Sequence, residues 1–384
     1  MFTPSGLELR HLRAFIAVAE ALNFGRAARS LHLTQPSLSR QIRQLERLLG
    51  TQLFARDSHS VSMTAAGDAL LPHARLVLAD LDTAVSAVRD AAGEAAVLVR
   101  QLWEPIARMC EADAEFSRIR SELERIYAHY PPPDSVEIRP VNAGGVPGVE
   151  LRPARRTGLT IVYLHGGGMV FGSAYGYRGL AGRLAVAADA TAIVPDYRLA
   201  PEHPFPAGLD DAVRTYEWVC ERGTAPDDIV LVGDSTGGAL VLSTLLRIAA
   251  SGGRMPRSAI LLCPAAGHVA QQADSAELSW EQRLYLRTTA AYLGTDRTQW
   301  ERDDPITADL TGLPPLLVQI ASGDIHSHRT RTLVERATAC GVDITLETYA
   351  AEEHVFHAFW SILPDADEAM ERAGTFAKST DKRK

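Results

Sequence analysis

The chain is poor in cysteine, and no two cysteines stand close together. Cys110, Cys220, Cys263 and Cys340 are scattered through 384 residues without a C-x-x-C pair. That pattern argues against a disulfide framework or a zinc ribbon and points to a reduced, cytoplasmic protein. No apolar run approaches the roughly 20 residues that cross a bilayer, so no membrane partner is expected. The opening "MFTPSGLELRHLRAF" lacks a basic start followed by an unbroken apolar stretch, which argues against a signal peptide. Lysine is missing until the closing "KSTDKRK", read as a frayed end. There is neither an internal repeat nor a low-complexity tract. His326 and His328 read as a solvated surface pair with no third ligand at metal spacing, so no metal and no cofactor is expected.

What is present fits a globular protein: 46% hydrophobic and 22% charged residues exclude disorder, and the length favours more than one domain. The formal net charge of -8 hides an asymmetry. Residues 1–60 carry Arg10, Arg13, Arg26, Arg29, Arg40, Arg43, Arg47 and Arg56 against only Glu8, Glu20, Glu46 and Asp57. A basic segment on an acidic body implies a local anionic partner.

In "LRAFIAVAEAL", Leu12, Phe15, Ile16, Ala19 and Leu22 share a helical stripe, and "NFGRAARSLHL" follows as a short second helix. The third, "TQPSLSRQIRQLERLLG", has Thr34 to cap it, Pro36 for its first turn and Gly50 for its exit. Leu38, Ile42, Leu45, Leu48 and Leu49 form its apolar stripe, leaving a polar, cationic outer face. "LFARDSHSVSMT" suits a two-stranded wing. The long stripe of Leu71, Ala74, Leu78, Leu81, Val85 and Val88 predicts a helix over 64–92, ending at Gly93, that pairs with a second copy of itself. Together these residues resemble the winged helix-turn-helix of LysR-type transcriptional regulators. The resemblance implies DNA contacts from Gln35, Ser37, Ser39, Arg40 and Arg43, with Arg56 near the wing, and a homodimer bound to an operator. Gly25, where the family often has a hydroxyl residue, and a wing with little positive charge depart from that pattern.

After "YPPPDS" the texture changes. Apolar β-rich runs ("TIVYLH", "TAIVPDY", "DIVLVGD", "AILLCPA", "PLLVQIAS", "DITLETYA") alternate with helical segments, predicting a mostly parallel sheet with helices on both faces. "LVGDSTGG" is a Gly-x-Ser-x-Gly turn between a strand and a helix, the arrangement that raises a nucleophilic serine above a sheet. Ser235 as an ordinary turn serine is the blander alternative. "YLHGGG", also at a strand end, offers backbone N–H groups to an oxyanion. Downstream, Asp324 and His354 follow further strands in the order that an acid and a base require on this fold, with His357 competing for the second role.

The set "HGGGMVFGS", "YRLAPEHPFPAGLDD", "GDSTGG" and "HVFHAF" strongly resembles α/β-hydrolases of the hormone-sensitive-lipase-like esterase group over residues 97–378. That resemblance implies Ser235 as nucleophile, Asp324 as acid and His354 as base. It makes Gly166, Gly167 and Gly168, with Thr236, the oxyanion hole, leaves His165 structural, and assigns 97–130 to a helical cap. Glu202 and Asp211 read as structural acids holding backbone and arginines. Ala321 and "IHSHR" replace the glycine and the acidic, leucine-containing run that the family usually shows around its acid.

The expected fold class is thus α/β: a C-terminal α/β-hydrolase fold with a mostly parallel sheet and helical cap, preceded by an all-α winged helix-turn-helix and a long linker helix. The expected domains are 1–63, a linker and dimerisation helix at 64–94, and the hydrolase at 95–384 with its cap at 95–130. Two functions compete. One is a serine carboxylesterase of short acyl esters or lactones fused to a DNA-binding domain. The other is a LysR-type regulator whose hydrolase-derived domain senses a small molecule with little turnover. A plain gene fusion, in which the first half merely tethers an esterase, is a third.

Overall fold

The computed structural model describes residues 6–31, 33–56, 61–265, 278–294 and 306–379. The chain divides into two compact units, Met1–Glu94 and Ala95–Lys384.

In the first unit α1 (Leu9–Ala21), α2 (Phe24–Ser30) and α3 (Gln35–Leu49) enclose Leu12, Phe15, Val18, Leu38, Ile42 and Leu45. Each of these side chains contributes about 2 kcal/mol by leaving water. Thr34 starts α3 as expected, accepting from Ser37 N at 3.4 Å, and Asn23 starts α2 in the same way, accepting from Arg26 N at 3.0 Å. Gly50 closes α3 in the left-handed region at φ 69. Two residues leave their predicted stripes. Leu22 is the left-handed C-cap of α1 and is exposed, and Leu49, in the last turn of α3, also faces solvent. Strands β1 (Phe54–Arg56) and β2 (Val61–Met63) pair antiparallel as the wing. Glu46 ties α3 to it, accepting from Leu53 N at 3.0 Å and Phe54 N at 3.4 Å. The wing tip at 57–60 and the side chains of Arg56, Val85 and Val88 lie outside the described residues.

The predicted break at Gly93 does not occur. Helix α4 runs from Ala65 to Glu111. Gly93 sits among alanines with an ordinary helical φ, and a glycine inside a helix costs only about 1 kcal/mol. The helical span expected over 97–130 is accordingly split between the end of α4 and α5 (Phe116–Ala128).

The second unit is built on an eight-stranded sheet among the described residues, in the order β10-β9-β8-β7-β5-β6-β4-β3. Its parallel part comprises β5 (Thr160–Leu164), β6 (Thr191–Pro195), β7 (Ile229–Asp234), β8 (Ser258–Leu262), β9 (Leu316–Ala321) and β10 (Ile344–Tyr349). These are the six runs read from the sequence. An antiparallel hairpin, β3 (Val136–Ala143) and β4 (Val146–Pro153), extends the edge. Apolar residues alternate between two layers along each central strand. Val162, Leu164 and Leu231 face α7 (Ala207–Glu221), α8 (Thr236–Ala250) and α10 (Ser327–Ala339). Ile161, Tyr163 and Val232 face α6 (Arg178–Ala187) and α11 (Pro364–Lys378). A further helix, α9 (Trp280–Leu293), packs on the first of these layers. No described helix is long and apolar enough to cross a membrane.

Candidate functional site

At the end of β7 the chain turns sharply into α8, and Ser235 takes φ 51, ψ -125. A residue with a Cβ tolerates this only under strain of order 1–3 kcal/mol. The turn closes because its neighbours are glycines. A Cβ on Gly237 would stand 2.1 Å from the Leu164 carbonyl oxygen, and one on Gly233 would stand 2.3 Å from that of Gly237.

Two other strand ends bring their side chains to the same place. The loop after β9 supplies Asp324, and the loop after β10 supplies His354. His354 Nε2 lies 2.7 Å from Ser235 Oγ, and its Nδ1 lies 2.8 Å from Asp324 Oδ2. The other carboxylate oxygen accepts from His326 N at 2.8 Å. The departures at Ala321 and "IHSHR" therefore leave Asp324 within reach of the imidazole. Burial by itself raises the Asp324 carboxyl, but the charge and hydrogen bond of His354 outweigh it and hold the group well below the usual carboxylate range. Burial opposes the charged form of His354, yet the facing Asp324 carboxylate, aided by Asp234 and Glu281, raises it above the ordinary 6.5.

The glycine loop is divided in its duties. Gly167 and Gly168 adopt φ 115 and 66, open to glycine and strained for other residues. Their N–H groups and that of Thr236 have no partner among the described residues. Gly166 differs from the sequence expectation: its N–H donates to Asp234 Oδ1 at 2.9 Å, beside the Tyr163 hydroxyl on the same oxygen at 2.9 Å. That N–H is already committed and is not free for an oxyanion. Asp234, buried and pushed up to about 6 by desolvation, thus ties this loop to the turn that holds Ser235. His165 is buried beneath the loop, with Nδ1 2.9 Å from the Gly166 carbonyl oxygen and its ring stacked on Tyr197.

The remaining candidates separate cleanly. His357 lies in the core with Nε2 3.2 Å from Gln319 Oε1, away from Ser235. Glu202 is gripped at both oxygens by Arg120, at 2.7 and 2.8 Å, and Asp211 by Arg198. His328 is exposed, but His326 is buried, which corrects its reading as half of a surface pair. Potential metal ligands cluster once among the described residues, where Cys263, Asp324 and His354 place donor atoms within 4.8 Å of one another. Burial keeps the Cys263 thiol protonated, and both ring nitrogens of His354 are engaged, so the cluster extends a hydrogen-bond chain and is not a metal cage.

Above Ser235 lies a cavity of about 540 Å³. Trp103 and Ile106 of α4, Leu123 of α5, and Trp280, Leu284 and Tyr285 of α9 line it. The α9 wall was missed from the sequence, although Ser279 and Gln282 form a capping box that marks its start.

In the first unit, Gln35, Arg40 and Arg43 are exposed on α3, with Ser37 and Ser39 half-buried between them. Neither Arg40 nor Arg43 meets a carboxylate among the described residues, so both cations stand open to an anion.

Comparison with known proteins follows the same division. Residues 161–358 match a family described as having the alpha/beta hydrolase fold, and residues 9–68 match bacterial regulatory helix-turn-helix proteins of the lysR family. The chain is 35% identical to an acetyl-hydrolase of Streptomyces hygroscopicus, over 65% of this chain and 83% of that protein. An HTH-type transcriptional regulator of Bacillus subtilis, AlsR, is 43% identical over 31% of this chain and 42% of its own length. Among solved structures, an esterase from the bacterial hormone-sensitive lipase family aligns with a TM-score of 0.64 and 32% identity, covering 72% of this chain and 97% of that one.

Proposed function

Since the chain belongs to the α/β-hydrolase fold family and carries a lysR-family helix-turn-helix at its front, we propose that it is a serine carboxylesterase of short acyl esters or lactones that also binds an operator. The observation that carries this reading is the unbroken run Ser235–His354–Asp324, with steps of 2.7 and 2.8 Å. In the first step Ser235 Oγ attacks the acyl carbon while His354 Nε2 takes its proton. The oxygen of the tetrahedral intermediate accepts from the N–H groups of Gly167, Gly168 and Thr236. Collapse releases the alcohol, which leaves with the proton from His354, and water then repeats the sequence on the acyl-serine. Asp324 holds the imidazole in the required tautomer and offsets its transient charge.

Gln35, Ser37, Ser39, Arg40, Arg43 and Arg56 contact DNA in this reading, and the 64–92 segment pairs two copies. The protein works in the cytoplasm. Replacing Ser235 by Ala should lower p-nitrophenyl butyrate hydrolysis by the roughly 10^6-fold seen when other serine hydrolases lose this group. Unchanged turnover in that variant ends the proposal.

One observation favours the sensing alternative. Helix α4 begins at Ala65, and Trp103 and Ile106 near its end line the cavity. A ligand against those side chains bears on the same helix that LysR-type regulators use to pair. A gel-shift series with short esters and their acid products tests this, and operator affinity that ignores every ligand removes it.

A further inference from the structure

Among the described polar groups that border the cavity, His326 has a ring that takes no part in the Ser235–His354–Asp324 run. Its backbone N–H already supports Asp324, but the side chain does something else. The ring is 4% exposed, packs edge-on against Tyr285 at 4.7 Å, and lies 5.1 Å from the ring of His354. Other buried histidines each place one nitrogen on a protein partner: His11 on Glu8 N, His165 on the Gly166 carbonyl, His357 on Gln319. Neither nitrogen of His326 has a hydrogen-bond partner among the described residues. The residue stands in the wall of the cavity.

Burial, reinforced by the neighbouring His354 charge, lowers this imidazole to about 3, so it is neutral wherever His354 works as a base. A neutral imidazole shows one N–H donor and one lone pair. An alkyl chain pressed against it would strip water from both and return nothing. A carboxylate would answer the donor alone. A hydroxyl answers either face.

Resting on the esterase reading above, we propose that the preferred ester carries a hydroxyl group within a few bonds of its scissile carbonyl, and that His326 binds that hydroxyl. The short distance between the two imidazole rings limits the hydroxyl to this part of the substrate. His326 is then a specificity residue in the wall of the site, separate from the proton transfers.

Two substrate pairs test it on the full chain: p-nitrophenyl butyrate against p-nitrophenyl 3-hydroxybutyrate, and ethyl butyrate against 2-hydroxyethyl butyrate. They probe the acyl and the alcohol side in turn. Wild-type kcat/KM should favour the hydroxylated member of at least one pair by about tenfold. In His326→Leu that ratio should fall to about one, and in His326→Gln, which keeps a donor and an acceptor, most of it should return. Ratios at or below one in both wild-type pairs overturn the inference, as does a preference that survives in His326→Leu. Should His326→Leu fail to fold, His326→Phe, which keeps a ring but neither donor nor acceptor, takes its place with the same expected ratio of about one. Turnover of both members at equal rates leaves the esterase reading standing and removes only this one, whereas turnover of none removes both.

Discussion

Helix α3 and the turn around Ser235 carry the two activities proposed for this chain, and they are built by opposite means. On α3 a regular helix, capped at both ends, carries Arg40 and Arg43 on its solvent side while Leu38, Ile42 and Leu45 hold it in place. Each cation acts through its own charge. Around Ser235, side chains from three strand ends meet only because the backbone is strained, glycines permit close approach, and a carboxylate is buried. There every group acts through the next. Deletions on the first surface should therefore be modest and additive, and those in the second large and cooperative.

The sharpest way to break that contrast is Asp324→Asn. It should reduce kcat by about 10^4-fold, because the amide holds the wrong tautomer of His354, while leaving the binding of duplex DNA intact. A loss smaller than tenfold in a stopped-flow or pNP-ester assay would mean that Asp324 is not the partner that matters.

The next effect is on pH. His354 accepts a proton only when neutral, and Asp324 raises its pKa above 6.5. In wild type kcat/KM should therefore fall about tenfold per unit as pH drops below a midpoint higher than 6.5. The residual activity of Asp324→Asn should shift that midpoint downward, since the carboxylate that favours the charged imidazole is gone. A midpoint below 6.5 in the wild type would contradict the pairing of His354 with Asp324.

The smallest effects belong to α3. Arg40→Ala and Arg43→Ala should each weaken DNA binding by about tenfold. Each should also reduce the slope of log affinity against log salt by about one, measurable on any duplex. The double variant should show the sum, and ester hydrolysis should not change. Strong non-additivity would show that α3 is more like the catalytic turn than its exposed geometry suggests.

The same contrast explains what could be read in advance. Strands buried on both faces announce themselves as apolar runs, so β5 to β9 were visible, the edge strand β10 showed only by its β-rich composition, and the glycine pattern around Ser235 reports a close approach that few other sequences permit. The hairpin β3–β4 was not, because an edge strand such as "VEIRPVNA" is largely exposed and mixes proline and charge into its pattern. Gly93 misled because a single glycine is a stop signal only when its φ turns positive, which local sequence does not decide. Gly166 and His326 were misassigned for a third reason. Their environments depend on contacts with Asp234, Tyr285 and His354, which come from segments far away in the chain.

The left-handed backbone of Ser235 has one more consequence, for how this protein would respond to selection. The fold is least comfortable where it is most reactive, so sequence changes that relax the elbow, such as a glycine at 235, would make the unit harder to melt while abolishing its chemistry. A screen for heat tolerance alone would drift toward inert variants, and only one that also demands turnover would keep the elbow taut.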